Sequence, residues 1–113
     1  MPHFIIDCSE NVLNQESPER IMQKVYDTAD SSSLFAKGDI KVRINPFKHY
    51  NIGESEAFLN VFGNIMEGRT DEQKLKLSES IVAALKNMLP NVPFISMNVR
   101  DFEKANYCNR SMV

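Results

Sequence analysis

The sequence predicts an α+β protein in which one βαβ unit occurs twice along 113 residues. In each half, strand-like apolar runs flank a segment whose apolar residues recur every three or four positions. A shift of 57 positions places Ile40-Lys41-Val42-Arg43 on Met97-Asn98-Val99-Arg100 with apolar and polar positions matched. Right-handed crossovers would place both helices on one face of a four-stranded sheet. We expect a single domain over 1–113, with units at about 2–48 and 57–102.

The first unit is predicted to form a strand, a helix and a second strand. Residues 3–8 form a short β-branched and aromatic run that ends at polar residues, which predicts a strand. Ser17, followed by proline and glutamate, predicts a helix start, because serine caps free N–H groups and proline has none to leave unpaired. The helix stripe comprises Ile21, Met22, Val25 and Ala29. After the Gly38 turn, apolar residues alternate with Lys41, Arg43 and Asn45, which predicts a strand with one cationic face that ends before Pro46.

The second unit repeats that order. Residues 57–66 form an apolar strand, and Thr70 with Gln73 makes a capping box at the start of the second helix. Pro90 ends this helix, and residues 92–102 form the last strand before a polar tail. The predicted helix stripe comprises Leu75, Ser78, Ile81, Val82, Leu85, Met88 and Leu89.

Composition excludes several classes of protein. Thirteen basic and fifteen acidic residues give a net charge of −2, so the chain lacks the basic excess typical of nucleic-acid binding. No stretch reaches the roughly 18 to 20 apolar residues of a membrane helix, and no basic leader is present, so we expect a cytoplasmic protein. Cys8 and Cys108 lack CxxC spacing and are expected to be reduced, with Cys8 in the core. His3 and His49 lack metal-ligand spacing, so we expect no metal site.

The strand composition predicts association of several copies. With both helices on one face, the other face of the sheet has no cover. Strand residues such as Phe4, Ile40, Val61 and Ile95 are too apolar to leave a whole face in water. We therefore expect a homo-oligomer.

Pro2 has two interpretations. It can simply start a strand with its φ angle preset. Alternatively, removal of Met1 would leave Pro2 with a free secondary amine. An ordinary α-amino group titrates at roughly 7.7 to 8.0, and burial or nearby cations would lower that pKa by penalising the charged form. The second interpretation makes Pro2 a candidate general base.

Three cationic side chains could bind an acidic substrate. Lys41 and Arg43 share one strand face if the alternation holds, and Arg69 lies just before the capped second helix. Arginine is the bidentate donor to carboxylates. Taken alone, each of the three is more often a solvated surface charge. Together they are candidate substrate-binding residues for a small anion.

Three segments carry a resemblance to a known family. Residues 1–11, Met-Pro-His-Phe-Ile-Ile-Asp-Cys-Ser-Glu-Asn, resemble the opening of the 5-carboxymethyl-2-hydroxymuconate Δ-isomerases, which belong to the tautomerase superfamily. That superfamily includes 4-oxalocrotonate tautomerase and macrophage migration inhibitory factor. Residues 67–74 resemble the turn and helix start of the short 4-oxalocrotonate tautomerases, and residues 106–109 are similar to the family's ending. The resemblance implies a homotrimer with active sites near each N-terminal proline at subunit boundaries.

The resemblance also implies a reaction. It would be a cofactor-independent isomerase that shifts a proton in an unsaturated 2-hydroxy dicarboxylic acid such as 5-carboxymethyl-2-hydroxymuconate, during breakdown of aromatic compounds. The catalytic amine falls on Pro2, the second-unit arginine on Arg69, and an aromatic wall on Tyr107. Lys41 stands where the family has an arginine, and Arg43 keeps the next basic position. An ammonium group cannot make the planar two-point contact of a guanidinium, so the lysine at position 41 would change which acids bind more than which reaction occurs.

Other functions remain open at this level. The chain could be a tautomerase for another small enol or keto acid. It could be a non-catalytic trimeric binding protein of the same fold. It could also be a ferredoxin-like small-ligand regulator in which Pro2 and Arg69 are incidental.

Overall fold

Four strands and two long helices make up the computed structural model, which describes residues 1–113. They are β1 (His3–Ser9), α1 (Pro18–Ser31), β2 (Lys41–Phe47), β3 (Phe58–Met66), α2 (Asp71–Met88) and β4 (Phe94–Phe102), and this order confirms the doubled βαβ pattern. Short 3₁₀ turns occur at Glu10–Asn14, Lys104–Asn106 and Arg110–Met112. No helix is both long and apolar enough to span a membrane.

The sheet has the strand order β2-β1-β3-β4. Each βαβ unit contributes one parallel pair, and the antiparallel pairing of β1 with β3 joins the two units. His3 faces Lys41 on one side and Asn64 on the other, and Asn64 faces Arg100. The start of β1, the start of β2 and the ends of β3 and β4 therefore lie at one end of the sheet, here called the proline end because Pro2 lies there.

Strand β2 continues further than the sequence predicts. The expected connection began at Pro46, yet Pro46 lies within the strand, opposite Cys8. An edge strand has only one neighbour, so a residue without an N–H group costs it less than it would cost a central strand. Strand β4, expected from residue 92, begins at Phe94, directly after Pro93.

Both helices pack on one face of the sheet, as expected. Alternate residues of the two central strands point toward the helices and are fully or almost fully buried: Phe4, Ile6, Cys8, Leu59, Val61 and Ile65. From the helices come Ile21, Val25, Ala29, Leu77, Ile81 and Leu85. Burial of each large apolar side chain in this core contributes about 1.5–3 kcal/mol.

A glycine allows one close contact in this core. Gly63 lies directly opposite Phe4, and a Cβ atom at Gly63 would lie 2.9 Å from Met97 Cε and 3.3 Å from Phe4 Cε1. The missing side chain gives the Phe4 ring room over the central strands. Phe4 in turn packs edge-on against Phe35, with ring centroids 5.8 Å apart.

The buried stripe of α2 differs from the prediction at two residues. Leu75 was expected to face the core but is 61% exposed, whereas Leu77 is 1% exposed. Two residues are separated by roughly 200° around a helix, so the two leucines point in nearly opposite directions. Leu77 shares its stripe with Ile81 and Leu85, at the four-residue spacing of one helix face.

The four strand residues on which the expectation of association rested do not lie on the open face of the sheet. Phe4, Ile40, Val61 and Ile95 all belong to the helix-covered side or pack against its core. The open face carries polar and charged side chains along its middle: His3, Asp7, Lys41, Arg43, Asn45, Asn60, Asn64, Ser96, Asn98 and Arg100. The same face also carries large apolar side chains: Ile5, Phe47, Phe58, Phe62, Met66, Phe94 and Phe102. Apolar exposure of those four residues therefore gives no argument for an oligomer.

Truncation of the two leucines of α2 should separate the buried face from the exposed one. Leu77→Ala is expected to lower the free energy of unfolding by about 2–5 kcal/mol, because it leaves a cavity in the core. Leu75→Ala should change it by about 0.5 kcal/mol or less. Urea unfolding at one fixed protein concentration measures both; similar losses for the two variants would contradict the packing described.

Candidate active site

Pro2 is buried at the start of β1 and is fixed against β2. Its carbonyl oxygen accepts the backbone N–H of Lys41 at 3.1 Å, which extends the β1–β2 ladder by one bond. The preceding Met1 nitrogen forms an ion pair with Asp39 Oδ2 at 3.1 Å. The Lys41 ammonium donates to the Asp39 carbonyl oxygen at 2.7 Å and lies 2.7 Å from Met1 Sδ. The residue bonded to the Pro2 nitrogen is thus held by one acidic and one basic side chain.

His3 lies within the cationic part of the open face. Lys41 and Arg43 share this face, as the alternation predicts, and His3 is the direct strand neighbour of Lys41. Arg43 Nη1 lies 3.1 Å from His3 Nδ1. Since a guanidinium only donates hydrogen bonds, Nδ1 accepts, and the proton of the neutral ring is on Nε2. Burial, followed by the charges of Arg43 and Lys41, lowers the pKa of His3 from its ordinary value.

Arg69 is held by backbone carbonyls in the turn after β3. Its Nη1 donates to the Met66 oxygen at 3.1 Å, and its Nη2 donates to the Leu34 oxygen at 2.6 Å. The guanidinium carbon lies 5.2 Å from the centre of the Phe35 ring. Arg69 therefore joins the turn after β3 to the loop between α1 and β2, and it is one of the residues that line an open cleft of about 400 Å³.

Local backbone features set the direction of Arg69. Gly68 has a φ of +121°, a conformation that side-chain-bearing residues rarely adopt. Thr70 then starts α2: its side chain accepts from the Gln73 N–H at 3.1 Å, while Gln73 Oε1 accepts from the Thr70 N–H at 2.9 Å. This is the predicted capping box, and it fixes the residue directly after Arg69.

Tyr107 follows β4 and packs on the last residue of that strand. Its ring centre is 5.6 Å from that of Phe102, and its hydroxyl accepts from Asn109 Nδ2 at 3.4 Å. Phe102 faces Met66, whose carbonyl Arg69 binds. Tyr107 therefore belongs to the proline end as well.

The predicted site residues form two groups at the proline end. Pro2, Lys41 and Arg43 lie around the start of β1 and β2, whereas Arg69 and Tyr107 lie around the ends of β3 and β4. Sequence reasoning missed His3 and Asp39 as parts of this end. His3 lies on the same sheet face as Lys41 because the two residues are paired across β1 and β2, but the sequence alone does not give this register.

Cys8 is a core residue, as expected. It is completely buried, and burial, with a smaller effect from Asp7, raises the pKa of its thiol to about 11. A thiol that stays protonated and inaccessible is a poor nucleophile. Cys108 is exposed, and both cysteines are free.

Comparison with solved structures identifies the fold as that of the tautomerases. A 5-carboxymethyl-2-hydroxymuconate isomerase from Deinococcus radiodurans R1 is similar with a TM-score of 0.82 at 22% identity, over 96% of this chain and 88% of that one. A fused 4-OT protein, described as a symmetric trimer, has a TM-score of 0.78 at 12% identity, over 98% and 96% of the two chains. The two-unit βαβ sheet is shared by these proteins.

Sequence comparison narrows this class to one family. The family model for 5-carboxymethyl-2-hydroxymuconate isomerase matches residues 2–111, and the chain belongs to that family. A 5-carboxymethyl-2-hydroxymuconate Delta-isomerase from Escherichia coli is 24% identical over 89 residues, which cover 76% of this chain and 71% of the relative. The protein is therefore an isomerase.

Replacing Arg69 should destabilise the fold. Arg69→Ala is expected to cost about 1–3 kcal/mol, because two backbone carbonyls lose a charged hydrogen-bond donor. Arg43→Ala, which removes an exposed guanidinium from the same end of the molecule, should cost about 0.5 kcal/mol or less. Chemical unfolding of both variants checks this; equal stability of Arg69→Ala and the unmodified protein would contradict the contacts described for Arg69.

Proposed function

We propose that this isomerase shifts a proton within 5-carboxymethyl-2-hydroxymuconate or a closely similar unsaturated 2-hydroxy acid, with the Pro2 amine as the general base. The observation that carries the proposal is the burial of Pro2 beside Lys41, with His3 and Arg43 on the adjoining sheet face. A muconate has two carboxylates and its carboxymethyl arm adds a third, so this acid is a tricarboxylate rather than a dicarboxylate as first expected. Such a substrate suits a cluster in which cationic side chains outnumber the single nearby acid, Asp39.

The local charges favour a neutral amine. Once Met1 is removed, the secondary amine of Pro2 would lie near the Lys41 ammonium, which together with burial disfavours the protonated form. Asp39 acts in the opposite direction. With Met1 present, the Met1 ammonium and then Lys41 hold the pKa of the Asp39 carboxyl below its ordinary value; once Met1 is removed, the Pro2 ammonium would take the place of the first. Lys41 also donates to Asp39, so part of that negative charge is already paired.

The proposed reaction needs only a proton carrier and bound carboxylates. The neutral Pro2 nitrogen takes a proton from the enol hydroxyl or from an allylic carbon, which leaves a dienolate. The resulting ammonium returns the proton to a different carbon of the conjugated system. Lys41, Arg43 and Arg69 would hold the carboxylates and stabilise the dienolate charge, an effect often worth several kcal/mol. Tyr107 would form an aromatic wall.

We extend the proposal to assembly and location. A homotrimer is supported by the shared fold, because the similar fused 4-OT structure is described as a symmetric trimer. Strands β2 and β4 are the free edges of the sheet, and its open face lacks helices. The proposal includes a cytoplasmic location and a role in the breakdown of aromatic acids. Two free cysteines agree with a reducing compartment.

Selective acylation of the N-terminal amine tests the role of Pro2. The modification should lower kcat with 5-carboxymethyl-2-hydroxymuconate by at least about 100-fold, the usual contribution of a general base. Modification sites are mapped by mass spectrometry. The Lys41→Arg variant, treated identically, is the control for acylation of the nearby lysine. Undiminished turnover after complete N-terminal acylation would refute the proposal.

Changing Lys41 tests how this end of the sheet binds the acid group. Lys41→Arg is expected to raise kcat/KM for 5-carboxymethyl-2-hydroxymuconate by about ten-fold, because a guanidinium makes a bidentate, charge-assisted contact with a carboxylate. A gain for this substrate but not for smaller 2-hydroxydienoates would indicate that the natural substrate is a smaller enol acid. Unchanged kinetics for every acid would show that Lys41 does not bind the carboxylate.

A further inference from the structure

One row of hydrogen-bond donors crosses the whole sheet at the proline end. Lys41, His3, Asn64 and Arg100 are direct neighbours on four successive strands and share the open face. Adjacent strands are about 4.8 Å apart, so this donor row spans about 14 Å. No carboxylate belongs to the row. The acid on this face, Asp7, lies four residues further along β1 and accepts from Asn45 Nδ2 at 3.2 Å.

His3 occupies the second position of the donor row with one free donor. Its Nδ1 is engaged by Arg43 at 3.1 Å, and its Nε2 makes no hydrogen bond within the chain and is not among the buried atoms without a partner. Within a single chain, the Nε2–H group is therefore exposed and free to donate. The lowered pKa keeps the ring neutral near pH 7, in the single tautomer that the Arg43 contact requires.

Asn64 continues the row on the neighbouring central strand. Its side chain is half-buried, directly across from His3. An amide side chain offers two N–H donors. His3 and Asn64 together thus present neutral donors on the two central strands, between the cations Lys41 and Arg100 on the edge strands.

We propose that His3 and Asn64 bind the carboxylate of the substrate's carboxymethyl arm, so that the donor row distinguishes acids that carry this arm from those that lack it. The inference rests on the proposed function. The two muconate carboxylates already require the cations nearest Pro2, and the third needs further donors within a few ångströms. The donor row supplies them one strand away from Lys41, and Asp39, the acid beside the row, is itself paired with Lys41 at 3.5 Å.

Paired substrates test the inference. KM and kcat are measured with 5-carboxymethyl-2-hydroxymuconate and with 2-hydroxymuconate, which has the same chain without the arm. His3→Asn retains an acceptor for Arg43 but has no donor at the position of Nε2; it should raise KM about ten-fold for the arm-bearing acid alone. His3→Gln, whose amide reaches further, should recover part of that loss. His49→Asn, in the loop after β2, is the control and should change neither KM.

A second variant makes the test independent of His3. Asn64→Asp has nearly the same shape but places a negative charge in the row, so KM should rise at least about ten-fold for the arm-bearing acid only. Equal changes for both substrates in the His3 and Asn64 variants, or no change, would overturn the inference while leaving the proposed function intact. If the unmodified protein converts neither acid, the proposed function fails, and this inference fails with it.

Discussion

The antiparallel pairing of β1 with β3 determines where everything else lies. Each βαβ unit forms only a parallel pair of strands, and this central pairing joins the two pairs into one sheet with Ile5 opposite Phe62. Because the two units run in opposite directions, the beginning of β1 and β2 meets the end of β3 and β4. Residues as distant in sequence as Pro2, Lys41, Arg69 and Tyr107 consequently share one end of the molecule.

The cations at the proline end differ in how much they contribute to the stability of the fold and how much they are free for the proposed chemistry. Arg69 donates hydrogen bonds to the carbonyls of Met66 and Leu34, so it holds two loops together whether or not a substrate is bound. Arg43 orients His3 instead, and Lys41 contacts the segment around Met1. Losses of activity in Arg69 variants must therefore be separated from losses of stability, whereas Arg43 and Lys41 variants would report more directly on the proposed binding of the acid.

Local signals predicted the elements well, because they depend on neighbours in sequence. The Thr70–Gln73 capping box starts α2 as expected, and the alternation around Lys41 and Arg43 correctly placed both on one strand face. Contacts between segments far apart in the sequence could not be predicted from it. Arg69 binds the Leu34 carbonyl 35 positions away, and His3 meets Lys41 through a strand register that only the folded sheet defines. The exposed Leu75 shows that helical spacing alone leaves the phase of a stripe uncertain.

The central claim is that catalysis depends on a free Pro2 amine, and intact-mass measurement combined with turnover tests it most directly. Natively expressed protein is weighed by mass spectrometry and assayed with 5-carboxymethyl-2-hydroxymuconate in the same preparation. If Pro2 is the base, the measured mass lacks Met1 and the same preparation converts the substrate. A preparation that fully retains Met1 and still converts the substrate would contradict a role for the Pro2 amine, because the nitrogen of Pro2 would then be an amide without basic character.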